Sequence, residues 1–226
     1  MIIIDALIRS KRKTISILIS PQGKLIVRAP TNCPITYINQ IVNKREHWIK
    51  TNQEKIIKRA TLNQDIMNYK NILYLGEVYR LALADNIKKI TPYNDAIYIP
   101  YKTPKEKIKR NLIKWFKEQA LKIMENRINY YANIMQLFPK NMSLNNTKTS
   151  WGLCNNKQEI KLNWRVAMLP PKLIDYVVVH ELAHLAEFNH SKRFWEIVAN
   201  TLPDVKQRRA ELKKGDYLLT LFRVGV

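Results

Sequence analysis

Acidic residues and cysteine are scarce in this sequence, and long apolar runs are missing from it. Only 18 Asp and Glu stand against 39 Lys and Arg, a formal charge of +21 at pH 7. An excess of that size repels itself in the compact state and favours polyanionic partners such as nucleic acid, nucleotides or anionic membrane. The chain is also rich in Ile, Asn and Lys together, which an AT-rich genome produces without selection for binding, so charge alone selects no partner. Two cysteines, Cys33 and Cys154, are too few and too far apart for a disulfide framework. No apolar run reaches the roughly 18 residues of a membrane span, so no membrane partner is expected. The opening Met1-Ile2-Ile3-Ile4 meets Asp5 at once and has no basic leader before it. It reads as the start of a strand, not a signal peptide, and the expected compartment is the cytoplasm. Neither a glycine-rich phosphate loop, an internal repeat nor a low-complexity linker is present.

What is there suits a soluble globular protein: 226 residues, 46% apolar and 25% charged. The order of elements predicts an α+β chain. Thr14 to Ile19 alternates like a strand, Pro21-Gln22-Gly23 reads as a turn, and Lys24 to Ala29 as the return strand. Pro34 opens a helix with apolar positions from Ile35 to Ile49. Asn71 to Leu83 is extended around Gly76, and Ile97 to Ile99 forms a short strand. Pro104 to Phe138 is the clearest long helix, with Ile108, Leu112, Trp115, Phe116, Ile123 and Ile134 on its buried face and Pro139 as its stop. Ser143 to Trp151 and Ile160 to Trp164 read as strands. Pro170-Pro171 opens a helical region to about Phe188, Ser191 caps another helix that Pro203 ends, and Lys206 to Lys214 forms a last short one. The expected organisation is a strand-rich region over residues 1–100 and a helical catalytic region over 101–226, either as two domains or as one continuous domain.

Three of the four histidines, His180, His184 and His190, fall within eleven residues. On a helix, positions four apart differ by about 40° and lie one turn apart. His180 and His184 can therefore face one ion with Glu181 beside them, the His-Glu-x-x-His spacing in which two histidines bind zinc and the glutamate acts as general base. His190 sets a geometric condition. On a continuing helix it would lie about 9 Å further along the axis and about 120° away from His184. To be the third ligand it needs the helix to end near Phe188 and the chain to fold back, with Asn189 suited to a left-handed turn. Three neutral ligands would leave the zinc its full charge and an open fourth position for water. The Val177-Val178-Val179 run favours strand by propensity, but the metal geometry requires helix, and propensity is the weaker argument.

The run Tyr176-Val177-Val178-Val179-His180-Glu181-Leu182-Ala183-His184, followed by Asn189-His190-Ser191-Lys192-Arg193-Phe194-Trp195, resembles the YgjP-like metallopeptidase family, relatives of the SprT-like proteins in the zincin group. Trp151-Gly152-Leu153-Cys154 and Leu162-Asn163-Trp164-Arg165 resemble its other recurrent motif, and Ser10 to Thr14 and Tyr74-Leu75-Gly76 fit as well. The resemblance implies a zincin-like fold, His180, His184 and His190 as zinc ligands and Glu181 as the base. This chain departs from the family's usual Arg-Trp-Gly-Ser-Cys, because Ser150 replaces the arginine and Leu153 the serine. Glu187 stands where metzincins have their turn glycine, which disfavours that assignment.

The leading expectation is a zinc-dependent metallopeptidase acting on protein or peptide through a metal-activated water, with Glu181 as general base. Two alternatives keep the basic charge in view. One is a nucleoside triphosphate pyrophosphatase or phosphohydrolase using the same metal site, and the other is a DNA-associated protein-processing or binding protein. Glu187 and Glu196 are fallback ligands, Asp175 and Asp204 could orient a ligand histidine, and Trp151, Trp164 and Trp195 are expected around the metal helix. Cys154 is expected to be a small buried thiol outside the site.

Overall fold

The structure, a computed structural model, describes residues 2–20, 22–68 and 70–222, with the backbone alone over 58–67. It divides into two compact units, Met1–Asn68 and Tyr69–Val226. The expected α+β class is what the chain forms: N-terminal strands followed by helices. Residue 100 falls inside the second unit. Among the described residues, no helix is long and apolar enough to cross a membrane.

In the first unit, β1 (Ala6–Ser10), β2 (Ser16–Ile19) and β3 (Leu25–Pro30) make a sheet in the order β1-β3-β2. The central strand pairs parallel with β1 and antiparallel with β2. Alternation along β3 sends Leu25, Val27 and Ala29 to one face, where they are fully buried with Ile38, Val42 and Ile49. The Ser20 hydroxyl accepts from the amides of Gln22 and Lys24, and Gly23 adopts a left-handed φ of 81°, which closes the β2–β3 turn. The helix expected from Ile35 onward is two helices, α1 (Ile35–Lys44) and α2 (Glu46–Met67). They part at Arg45, whose N–H bonds back to the carbonyl of Val42, tightening the last turn to three-residue spacing.

The second unit begins with a four-stranded sheet of β4 (Asn71–Tyr74), β5 (Glu77–Ala84), β6 (Thr91–Tyr93) and β7 (Ala96–Pro100), in the order β4-β5-β7-β6. Leu75 and Gly76 both have positive φ, the requirement of a tight two-residue hairpin turn. A Cβ on Gly76 would lie 2.7 Å from Pro170 Cγ, so this turn can approach Pro170 only as glycine.

The long helix α3 (Lys105–Met135) follows. Its buried residues Ile108, Leu112, Phe116, Ala120, Met124, Ile128 and Ala132 keep a four-residue step. Each step turns about 40°, so the buried stripe curls around the helix. This corrects the expectation for Ile134, which is 54% exposed: the stripe has by then moved to the opposite side. The stop also differs. Gln136 ends the helix in a left-handed conformation, its N–H bonded to Ala132 O, ahead of Pro139.

Three strands, β8 (Asn141–Asn145), β9 (Gly152–Cys154) and β10 (Glu159–Asn163), form a second sheet in the order β8-β10-β9, which leaves β9 at an edge. A short 3₁₀ turn, Trp164–Met168, is wholly buried and leads to α4 (Pro171–Ala183). The three valines lie within α4 and are buried. Enclosure on all sides, worth about 1.5–3 kcal/mol for each such side chain, overrides their strand propensity. The helices α5 (Lys192–Thr201) and α6 (Val205–Gly215) complete the unit, with a closing 3₁₀ turn over Asp216–Thr220.

Candidate active site

His180 and Glu181 sit in the last turn of α4, and His184 is its C-cap residue. The helix therefore ends earlier than the expected boundary near Phe188. The chain leaves it through a tight turn in which Leu185 N bonds Leu182 O, while Ala186 N and Glu187 N both bond Ala183 O. Asn189 does not take the left-handed conformation assigned to it, since it is absent from the described residues with positive φ. Backbone hydrogen bonds over 182–187 do the turning instead. Ser191 then caps α5, its hydroxyl accepting from Phe194 N at 3.3 Å.

This turn carries His190 back to α4. Its Nε2 lies 3.1 Å from Nε2 of His180, and one nitrogen from each of His180, His184 and His190 falls within 4.8 Å of the others. Nδ1 of His184 lies 3.1 Å from the carbonyl oxygen of Glu187. A carbonyl only accepts, so Nδ1 carries the proton and Nε2 keeps its lone pair for a cation. The ring of Phe194, fully buried, packs 4.9, 4.6 and 4.7 Å from the rings of His180, His184 and His190 and fixes all three from one side. Trp195 stacks on His190 at 5.6 Å.

The electrostatics favour the neutral form of His180 and His190. Burial, reinforced by His184, His190 and Arg209, holds His180 down at about 3. Burial also lowers His190. His180 Nδ1 is buried with no hydrogen-bond partner among the described residues. Glu181 is 6% exposed, and burial pushes its carboxyl up to about 8. Its side chain lies against Gly152, and both residues line a cavity of about 330 Å³ with the three histidines, Leu153, Cys154 and Phe188.

The structure brings together His180, Glu181, His184 and His190. The fallback carboxylates do not join them, for the metal-competent cluster among the described residues holds histidines only. Glu196 pairs with Lys192 at 3.6 Å. Asp175 pairs with Arg127 at 2.6 Å and Asp204 with Arg208 at 2.7 Å, and among the described residues no hydrogen bond joins either to the three histidines. Cys154 lines the cavity, its thiol pushed up to about 11 by burial and by Glu181, so it stays protonated at neutral pH. Trp164 belongs elsewhere, against Phe116 and Phe222. Sequence reasoning missed the packing role of Phe194, though its four-residue spacing from buried Val198 marked it as inward-facing. It also missed the Gly152–Glu181 contact and Arg209, neither of which has a local signal.

Three imidazole nitrogens that could hold a metal ion thus converge beside the buried carboxyl of Glu181. The chain belongs to the YgjP-like metallopeptidase domain family, whose model matches residues 13–215. That membership makes it a hydrolase of metallopeptidase type and implies a metal ion. Among solved structures, the zymogen of the metallopeptidase abylysin from Pyrococcus abyssi is similar at 23% identity, covering 39% of this chain and 90% of that one with a TM-score of 0.37. No curated protein matches the sequence.

Proposed function

We propose that this chain is a zinc-dependent peptidase whose catalytic machinery lies within residues 101–226. His180, His184 and His190 would hold the zinc, and Glu181 would be the general base. The observation that carries this reading is the convergence of three imidazole nitrogens within 4.8 Å at the rim of the cavity that contains Glu181. The donor set fits zinc: tetrahedral bonds of about 2.0–2.1 Å put ligand nitrogens about 3.3 Å apart, near the 3.1 Å between His180 and His190. A zinc ion held there would lower the pKa of a water toward about 7 and polarise a carbonyl.

The remaining work belongs to the chain's own groups. Glu181 would take a proton from water and return it to the leaving nitrogen. The edge strand β9 borders the cavity and offers unpaired backbone groups along its outer side, which suits an extended peptide laid beside it. Leu153 and Phe188, 44% and 49% exposed, give the rim an apolar character. Among the described residues no lysine or arginine lines this cavity, which favours an amide substrate over a phosphoanhydride. The nucleotide and DNA readings therefore rest on net charge alone.

The test is Glu181→Gln in zinc-loaded protein, assayed on denatured proteins and quenched fluorogenic peptides. Zinc content should hold while hydrolysis falls by about 10²–10⁴-fold. Hydrolysis that survives would take Glu181 out of the mechanism, and release of pyrophosphate from nucleotides without peptide cleavage would overturn the peptidase reading.

A further inference from the structure

Two consecutive arginines on α6 are used differently. Arg208 is consumed by the fold: its Nε donates to Asp204 at 2.7 Å and its Nη1 donates to the carbonyl of Lys172. Arg209 is exposed and forms no hydrogen bond or ion pair among the described residues. Its guanidinium carbon lies 4.9 Å from the ring centroid of Trp195. Trp195 is also the ring stacked on His190, and it lies 6.0 Å from His180. One aromatic plane thus joins a free cation to two members of the histidine cluster.

A second observation places α6 at the site. Leu212, one turn beyond Arg209 and on the same helical face, lines a recess of about 200 Å³ together with Tyr176, His180 and Glu181. The Arg209 charge also reaches His180 and His190, where it adds to the larger effect of burial, and Tyr176, where it opposes it.

The contact with Trp195 uses none of the N–H donors along the guanidinium edge, which stay available to a ligand. That edge matches a carboxylate in two parallel hydrogen bonds. We propose that Arg209 is a specificity-determining residue of this site and binds a carboxylate on the peptide substrate. The carboxylate can come from the peptide's own C-terminus or from an Asp or Glu side chain beside the scissile bond. The inference rests on the reading of the three histidines as a zinc site.

Hydroxamate-capped dipeptides, titrated calorimetrically into the zinc-loaded full chain, test it without relying on turnover. Two matched pairs serve as probes: a free C-terminal carboxylate against its carboxamide, and a Glu side chain against Gln. Wild type should prefer the acid in one pair by about threefold to tenfold, the range for an exposed but oriented contact, and that pair identifies the source. Arg209→Gln should abolish the preference while leaving the neutral twin's affinity unchanged, and Arg209→Lys should retain part of it. Equal binding of acid and neutral twins by wild type overturns the inference and leaves the zinc site standing. Arg209→Gln that weakens both twins alike reduces Arg209 to a packing partner of Trp195 and also overturns it. If neither twin binds and elemental analysis finds no zinc, the three-histidine reading itself fails and this inference goes with it.

Discussion

The Glu181 side chain occupies the space that a Cβ on residue 152 would need. A methyl group built on Gly152 would collide with Oε1 of Glu181 and lie 2.6 Å from both its Cδ and its Cγ. Glycine at this position is thus a condition for the carboxylate to stand where it does.

Gly152→Ala should therefore displace the carboxylate. The chain around Trp151 cannot easily give way, because the Trp151 indole is buried and donates to Asp216 at 2.9 Å. A shift of about 1 Å in a catalytic group can cost on the order of 10²-fold. The expected outcome is zinc content near wild type with peptide hydrolysis down by about that factor, read by elemental analysis and steady-state kinetics. Wild-type kinetics in the alanine variant would mean that Glu181 does not depend on this contact.

His190→Ala tests the fold-back. His190 is exposed and reaches the cluster only through the turn after α4, so its loss removes a nitrogen donor but little buried area. Zinc should dissociate readily on dialysis, while the far-ultraviolet circular dichroism keeps its wild-type form. The apolar face of α3 is buried without any help from an ion, and a chain of this length does not need metal to fold. Full zinc retention would move the third ligand elsewhere, and unfolding would make the site structural.

The parts of this site that could be read from the sequence are those set by helical spacing. His180, Glu181 and His184 share one turn, so a 3.6-residue period is enough to group them, and the valines before them yield to burial. The return of His190 could be stated only as a condition, since hydrogen bonds over 182–187 supply it and Asn189 does not. Gly152 and Arg209 come from other elements, and their proximity depends on β9 pairing at the sheet edge and on α6 packing beside α4. No local pattern encodes such contacts. Ile134 shows the same limit within one helix: a fixed apolar face fits the start of α3, but over 31 residues the buried stripe rotates away from it.

Chelator-treated protein should lose stability on the alkaline side through Glu181. Its carboxyl sits at about 8 when folded, against the ordinary 4.5, so the folded state holds the proton more tightly. That contribution is complete below about pH 4.5 and is lost as pH rises through 8. His180, held at about 3 against 6.5, acts in the opposite sense: its contribution is present above 6.5 and lost as pH falls through 3. Between pH 6.5 and 9 the glutamate acts alone of the two. Urea unfolding of metal-free wild type should weaken by about 2 kcal/mol across that window relative to Glu181→Gln. Parallel profiles for the two proteins would show that burial does not raise this carboxyl.

Arg165 supplies a prediction about stability that leaves the histidines untouched. It is 3% exposed, and its Nε and Nη2 donate to the carbonyl of Leu221 at 3.0 and 2.7 Å. Nη1 donates to Asn146 Oδ1 at 2.7 Å, and the guanidinium lies 4.2 Å from the ring centroid of Trp164. One buried cation thereby ties the segment carrying Leu218, Leu219, Leu221 and Phe222, all buried, to the turn that precedes α4. Arg165→Met keeps much of the volume but leaves the Leu221 carbonyl without these two donors. Unsatisfied buried acceptors cost about 1–3 kcal/mol each, so the variant should lose roughly 2–4 kcal/mol by urea denaturation. Zinc content should not change, because Arg165 touches none of the histidines. A loss below about 0.5 kcal/mol, the scale of an ordinary surface substitution, would mean that this segment is held by its apolar side chains alone.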